Sequence, residues 1–272
     1  MQYGFVLPNG EARDAAELGR EAEAAGWDGF FVIDCVWGVD PWVSLAAVAM
    51  VTEKIRLGTM LTPVSRRRPW TLASQTATLD RLSHGRVTLS VGLGALDTGF
   101  EAFGEETDRR ARAELLDEGL AIMTGLWQGQ PFRFEGKHFH IRESAFFPPP
   151  PPVQAPRIPI WVAGVWPRKR SMERVLRWDG LIPEKREADG SNGDVTPDDI
   201  RAIREFAAAR RSDPIDIVSE GRTPGDERDR AASMVSPYAD AGATWWLESM
   251  WTAPNAPVDA LARLRQGPPR ID

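Results

Sequence analysis

Gly29-Phe30-Phe31-Val32-Ile33-Asp34 is an unbroken apolar run that starts on a glycine and ends on a carboxylate. A strand with one wet face alternates apolar and polar residues. A run without alternation belongs in a sheet covered on both faces, as parallel sheets are. Upstream, Tyr3 to Leu7 has the same character and stops at Pro8-Asn9-Gly10. Between the two runs, Leu18, Ala22 and Ala25 recur at i, i+4, i+7, which predicts a helix with Asp14 as N-cap and Gly26 as its stop. Strand, helix and strand within roughly 30 residues make one βαβ step.

Downstream the alternation continues. Pro41 opens a helix carrying Leu45, Val48 and Val51, and Ile55 to Leu61 is a third strand. Pro69 opens the next helix with Leu72, Thr76 and Leu79, and Val87 to Leu93 is a fourth strand. Asp108 caps a longer helix with Leu116, Leu120, Met123 and Trp127 on one face. Phe132 to Ile141 then alternates with period 2 around a glycine, which predicts a hairpin inserted between strands four and five. The run Pro148 to Pro152 reads as a stiff spacer or, alternatively, as a docking motif for SH3-type modules.

The second half resumes with Ile158 to Gly164 as a strand and a helix from about Pro167 to Trp178. Gly180 to Pro183 is a short sixth strand, and the polar stretch Glu184 to Asp194 reads as a mobile loop. Thr196-Pro197-Asp198-Asp199 is a helix start with cap, proline and early acids in order. Ile215 to Ser219 precedes a helix over Gly225 to Ala241, and Ala243 to Glu248 precedes one over Pro257 to Gln266. Eight strand–helix units predict an α/β fold of the (β/α)8 TIM-barrel kind, one domain over residues 1–272. An open doubly wound sheet is the runner-up, but no Gly-x-Gly-x-x-Gly follows the first strand.

Composition narrows the function classes. The 272 residues carry 33 Lys plus Arg against 39 Asp plus Glu, a net charge of −6, which argues against a general nucleic-acid binder. Cys35 is the lone cysteine, so neither an intrachain disulfide nor a cysteine-based zinc site is available. With three histidines, His84, His138 and His140, no metal is expected. The N-terminus lacks a signal-peptide pattern, and no apolar stretch approaches about 18 residues, so the expectation is a cytoplasmic protein without a membrane span.

In a barrel of this kind the site lies at the C-terminal ends of the strands. Three carboxylates fall there, Asp34, Glu220 and Glu248, each a candidate for proton transfer and each equally able to hold a loop. Cys35 is a candidate nucleophile, although an inert thiol is the commoner case. Small residues end strands three to five, among them Thr59, Gly92, Gly94, Ala163 and Gly164, and let a flat ligand approach the backbone. Trp37, Trp166 and Trp251 follow strands at the same end and either line a pocket or pack loops. Two basic groups follow strands three and five: Arg66-Arg67-Arg68 and Arg168-Lys169-Arg170. The second, at a helix start beside Gly164 and Ser171, suits phosphate; for either group a solvated face is the alternative.

The segment from Ile55 to Gly94 resembles the bacterial luciferase-like family of flavin- and deazaflavin-dependent oxidoreductases. It contains Arg68-Pro69-Trp70-Thr71-Leu72-Ala73, Leu79-Asp80-Arg81-Leu82-Ser83-His84-Gly85-Arg86 and Val91-Gly92-Leu93-Gly94. Phe134-Glu135-Gly136-Lys137 and Pro159-Ile160-Trp161-Val162-Ala163-Gly164 are a second match. Weaker support comes from Trp178-Asp179-Gly180 and from the stretch Ala241 to Glu248.

The resemblance implies a (β/α)8 barrel with FMN or coenzyme F420 at the strand ends. It implies a non-proline cis peptide near Met60-Leu61-Thr62 behind the ring, contacts from Leu93, and the cofactor phosphate around Gly164, Val165, Trp166 and Arg168. The pairing of Asp34 with Trp37 resembles F420 members and favours that cofactor. Two departures accompany the match. Cys35 stands where many relatives have histidine, and Ala95-Leu96-Asp97 stands where F420 members often have glutamate, so the usual acid/base pair does not carry over.

The expected function is an F420- or FMN-dependent oxidoreductase or monooxygenase acting on a small organic substrate, working as a homodimer. Two rivals stand beside it. One is a flavin-binding protein of the same fold without catalysis. The other is a cofactor-free lyase or hydrolase using Asp34, Glu220 and Glu248.

Overall fold

A computed structural model describes residues 1–144, 150–187, 191–252 and 256–271. In chain order the elements are β1 (Gln2–Leu7), α1 (Ala12–Ala24), β2 (Gly29–Val32), α2 (Pro41–Ala49), β3 (Arg56–Thr59), β4 (Thr62–Pro63), α3 (Pro69–Leu82) and β5 (Val87–Gly92). There follow α4 (Arg109–Gln128), β6 (Phe132–Glu135), β7 (His140–Ser144), β8 (Ile160–Trp166), α5 (Lys169–Val175), β9 (Gly180–Arg186) and β10 (Asn192–Gly193). The chain ends with α6 (Pro197–Ala208), β11 (Asp216–Gly221), α7 (Arg228–Ala241), β12 (Trp245–Ser249) and α8 (Ala256–Arg265).

Strands β1, β2, β3, β5, β8, β9, β11 and β12 pair in that order, each parallel to the next, and β12 returns to β1. The sheet closes, which removes its open edges. Near-continuous apolar strands are the consequence: β1 is buried over five of its six residues and β5 over all of them. Beside the barrel, β6 and β7 pair antiparallel, with Phe134 opposite Ile141. The hairpin is fastened to α4 by Glu118, whose carboxylate accepts the Lys137, His138 and Phe139 N–H groups.

The bore is filled by aromatics rather than by branched aliphatics alone. Phe31, Trp161 and Trp245 meet one another with ring centroids 5.1–6.1 Å apart. Glycines make room for them: a Cβ on Gly4, Gly29 or Gly58, on three neighbouring strands, would come within 2.7–2.9 Å of the Phe31 ring. Outside the sheet, helices cover a second apolar layer that includes Leu18, Leu45, Leu72, Leu120, Ile203 and Leu264.

Several local expectations change. The N-cap of α1 is Glu11, not Asp14; Asp14 sits at the third helical position and returns a bond to the Glu11 N–H, a reciprocal capping box. The third strand breaks after Thr59. The Met60–Leu61 peptide bond is cis, and β4 resumes the path with Thr62 beside Val91. The stretch expected as a mobile loop is partly regular: β9 runs on to Arg186 and pairs antiparallel with β10. Pro148 and Pro149 of the proline run, and residues 188–190, lie outside the described residues. Beyond the prolines, the Val153 and Gln154 N–H groups donate to Asp80 at 2.8 and 3.1 Å, which pins the segment to α3 before β8. Among the described residues no helix is long and apolar enough to cross a membrane.

Candidate active site

A cleft of about 1840 Å³ opens at the C-terminal ends of the barrel strands. That is the end where barrel loops converge on a ligand. Its floor is apolar: Met60, Leu61, Ala163, Ile182 and Val218 line it and pack onto the aromatic plug. Leu93, Gly94 and Val165 also line the cleft.

The small residues at strand ends act differently from one another. Gly92 is a socket for the bulge after β3, since a Cβ there would meet Leu61 at 2.9 Å and Ala163 at 3.1 Å. Gly164 faces outward to Val175 and Leu181, not into the cleft. Thr59 and Thr62 are buried beneath the bulge and bond each other at 2.9 Å, so neither hydroxyl lines the cleft.

Asp34 reaches the cleft wall, but its carboxylate is already engaged. Arg66 donates to Oδ1 at 2.8 Å, and Arg67 donates to both oxygens, at 2.8 and 3.1 Å. The side chains are enclosed, at 0% exposure for Asp34, 7% for Arg66 and 17% for Arg67. Arg66 and Arg67 of the first basic group are therefore engaged inside the protein, while Arg68 is exposed over the Trp70 ring. Arg66 and Arg67 close the segment after β4 onto the end of β2. Arg66 also donates twice to the Cys35 carbonyl at 2.8 Å. Cys35 does not line the cleft. Burial first, then the Asp34 charge, pushes its thiol pKa up, against a smaller opposing pull from Arg66, which disfavours a nucleophilic thiolate.

Glu248 is a structural carboxylate. It is fully buried on the outward side of β12, accepts from the Thr223 N–H at 2.7 Å and hydroxyl at 2.8 Å, and pairs with Arg263 at 3.2 Å. Asp34, Glu220 and Glu248 thus do not converge on one point, as a cofactor-free lyase would need. Glu220 alone of the three projects freely into the cleft. Its side chain is exposed at the cleft mouth, yet protein walls surround it closely enough that desolvation dominates. Burial raises its carboxyl above the usual range, and Glu184 adds to the rise, while a hydrogen bond from Trp251 opposes it.

Only one of the three strand-end tryptophans lines the cleft, Trp251. Trp37 stands 82% exposed outside it. Trp166 packs edge-on against Phe206 of α6, with centroids 5.7 Å apart.

Cations line the opposite wall. Arg168, Lys169 and Arg170 come from the β8–α5 turn, Arg109 from the start of α4, and Arg186 from the end of β9. Burial first, then the charges of Arg168 and Arg186, lowers the Arg109 guanidinium pKa below its usual value. Among the described residues, neither Arg109 nor Arg168 has an ion pair. Ser171 turns inward, and its hydroxyl accepts the Val165 N–H at 2.9 Å. Arg112 donates to the Leu93 and Gly94 carbonyls at 2.8 and 3.0 Å and so fixes the loop after β5.

Sequence reasoning missed Arg109, Arg112 and Arg186, and it placed Glu184 at the end of the sixth strand without giving it a role. One signal was present. Cations are unfavourable at a helix N-terminus, where the dipole is positive. Arg109 and Arg110 nonetheless open α4, just as Lys169 and Arg170 open α5. Arg110 and Lys169 are partly offset by Glu114 and Glu173 one turn on, whereas Arg109 has no such partner among the described residues.

Comparison with known proteins follows the same line. A family model described as luciferase-like monooxygenase matches residues 1–264. An uncharacterized protein of Mycobacterium tuberculosis, Rv0953c, is 36% identical over 151 residues, 56% of this chain and 52% of that one, so the chain spans about half the length of this curated relative in the match. An F420-dependent glucose-6-phosphate dehydrogenase of Nakamurella multipartita is 29% identical over 275 residues, covering 92% of this chain and 77% of that one. Among solved structures, the coenzyme F420 dependent tetrahydromethanopterin reductase from Methanopyrus kandleri has a TM-score of 0.78 over 98% of both chains, at 18% identity, a likeness of fold.

Proposed function

The chain belongs to the luciferase-like monooxygenase family, and from that premise we propose that it is an oxidoreductase that holds coenzyme F420, or less favourably FMN, in the cleft and acts on a small organic substrate. The observation that carries the reading is the cation wall. Arg109, Arg168, Lys169, Arg170 and Arg186 present more positive charge than one phosphate monoester requires. F420 adds carboxylates to its phosphate along an extended tail, and FMN does not. The F420-dependent dehydrogenase among the relatives supports the same choice.

The residues present fit such a group. An apolar floor of Met60, Leu61, Ala163, Ile182 and Val218 suits a flat ring. The cations would hold the anionic tail. Bound there, the ring supplies two electrons as a hydride. The protein's share is to orient the ring, keep bulk water from the reacting face and provide a proton where the substrate needs one. Asp34, Arg66 and Arg67 hold the cleft wall rigid, and Trp251 bounds the substrate side.

A cytoplasmic homodimer completes the proposal. Val43, Met50 and Val51 leave an apolar face on and just after α2 that a second copy can cover. Light scattering that returns the monomer mass overturns that part. The central test is titration of the purified protein with F420 and with FMN, followed by cofactor fluorescence. Micromolar binding of F420 that weakens with salt supports the reading. Preference for FMN moves it to the monooxygenase branch, and binding of neither overturns it.

A further inference from the structure

The strand pairing forces two carboxylates together. Gly180 lies beside Asp216, and Leu181 beside Ile217, in the parallel pair of β9 and β11. The same offset, carried along both strands, brings Glu184 beside Glu220. Ile182 and Val218, one step below, face the bore. By the two-residue period of a strand, Glu184 and Glu220 face the mouth above them, and both line the cleft.

Their surroundings differ. Glu184 acts electrostatically on Arg109, at the edge of the cation wall. Glu220 receives a hydrogen bond from Trp251 and, among the described residues, has no ion pair. The charged group that acts on it is Glu184 from β9; Asp194 beyond β10 and Tyr238 from α7, whose hydroxyl donates to the Val195 carbonyl, line the same cleft. On β12 the acid next to it in register is Glu248, which points outward, and Arg222 is exposed. The cleft is therefore divided. Its lining carries the Arg109, Arg168, Lys169, Arg170 and Arg186 cations, with Asp108, Glu114 and Asp117 also on the α4 side, and around Glu220 it is apolar and carboxylic, with Glu184, Trp251, Val218 and Ile182. With the cations engaged by the cofactor, the remaining wall repels anions and tolerates an uncharged molecule.

We infer that Glu220 is a catalytic proton carrier, that it serves the oxygen of an uncharged ketone or of the corresponding secondary alcohol, and that Glu184 is a positioning residue that tunes it. The inference rests on the oxidoreductase reading above. In the reducing direction the substrate carbon gains a hydride, which the reduced ring class supplies. The C=O π pair becomes a lone pair on oxygen, and that oxygen forms a bond to the Glu220 proton as the Glu220 O–H breaks. Glu220 ends as a carboxylate and regains its proton from water at the open mouth. In the oxidising direction the carboxylate takes the hydroxyl proton as the hydride leaves carbon.

Two measurements test it. Infrared titration of the protein alone is the first. The wild type should show a protonated carboxyl band that persists above the usual carboxylate range, is absent in Glu220→Gln and shifts to lower pH in Glu184→Gln. A spectrum of Glu220→Gln identical to the wild type overturns the inference. The second is turnover with F420 and a panel of uncharged ketones and secondary alcohols headed by cyclohexanone and cyclohexanol, with glucose 6-phosphate as the anionic probe. Glu220→Gln should bind F420 within about twofold of the wild type and lose about 100-fold or more in kcat. Glu184→Gln should lose less kcat than Glu220→Gln and move the pH profile to lower pH, because the charge that helps to raise the Glu220 carboxyl is gone.

A wild-type rate and profile in Glu220→Gln overturns the catalytic role alone. Turnover of glucose 6-phosphate, or of no member of the panel by cofactor-loaded protein, overturns the substrate class. Failure of the wild type to bind either ring overturns the functional reading and the catalytic role with it, a result distinct from the other two.

Discussion

Arg67 meets Asp34 through two parallel bonds, Nη2 to Oδ1 at 2.8 Å and Nε to Oδ2 at 3.1 Å. This fork geometry is specific to arginine and adds direction as well as charge. Arg66 completes the set from the neighbouring position. The acid at the end of the second strand is thus a fastening for the chain after the cis peptide.

Asp34→Ala leaves two largely enclosed guanidinium groups without their counter-charge. Breaking a buried pair in this way costs about 3–5 kcal/mol. The expected outcome is a loss of that size in unfolding free energy, read as a lower urea midpoint at unchanged slope. Arg67→Lys should recover only part of it, because an ammonium cannot make the paired contact. An unchanged midpoint in Asp34→Ala would show that the pair contributes nothing to stability.

Glu248→Gln separates a structural carboxylate from a reactive one. The substitution keeps an acceptor for Thr223 and removes the charge facing Arg263. A loss of about 1.5–3 kcal/mol in unfolding free energy is expected, with F420 affinity per folded molecule unchanged. Denaturation and fluorescence titration on one preparation check both halves.

Arg109→Gln and Arg168→Gln should each weaken F420 binding about tenfold, the equivalent of one charge-assisted hydrogen bond of about 1.4 kcal/mol. The effect on FMN should be smaller at Arg109, which comes from α4 and not from the β8–α5 turn itself. Salt should narrow the difference between variant and wild type, since exposed charges are screened. Titrations at low and high ionic strength decide.

Acid should release the hairpin before it opens the barrel. The Lys137 ammonium foremost, with His138 and then Arg110, holds the Glu114 carboxyl down at about 2, from an ordinary value of 4.5, against a smaller rise from burial. A carboxylate whose folded pKa is depressed stabilises fully above its unfolded value. Its contribution fades as pH falls from 4.5 toward about 2. Glu114 ties down the Lys137 and His138 side chains, so the protection factors of the Lys137 to Phe139 amides, corrected for the intrinsic pH dependence of exchange, should fall through that window in the wild type. Glu114→Gln should exchange faster at neutral pH and change less on acidification.

The eight-strand barrel was legible because parallel strands carry an unmistakable signal. Gly29 to Ile33 is apolar without alternation, Val87 to Leu93 sets valines and leucines among small residues that stay buried, and Pro41, Pro69 and Pro197 sit at the first helical position. The site was legible only as a place. Strand ends can be counted along a chain, but which side chains face inward depends on register and on what meets them across the barrel. Glu220 and Glu248 look alike in sequence and point to opposite sides of the sheet. The Asp34 clamp joins residues more than thirty positions apart, and nothing in the local pattern of either segment announces the other. Arg109 and Arg186 were hidden for the same reason: they come together only when the helix after β5 and the end of β9 reach the same wall.

The aromatic plug has a kinetic consequence. Phe31, Trp161 and Trp245 fill the bore below the floor, so the cleft is blind, and everything that enters leaves by the same opening. Two molecules that share a blind cleft queue: the deeper one arrives first and departs last. A ring seated on the Met60–Leu61 floor imposes a compulsory order on steady-state behaviour, in which the second reactant competes with its own product for the vacant mouth and never with the ring beneath.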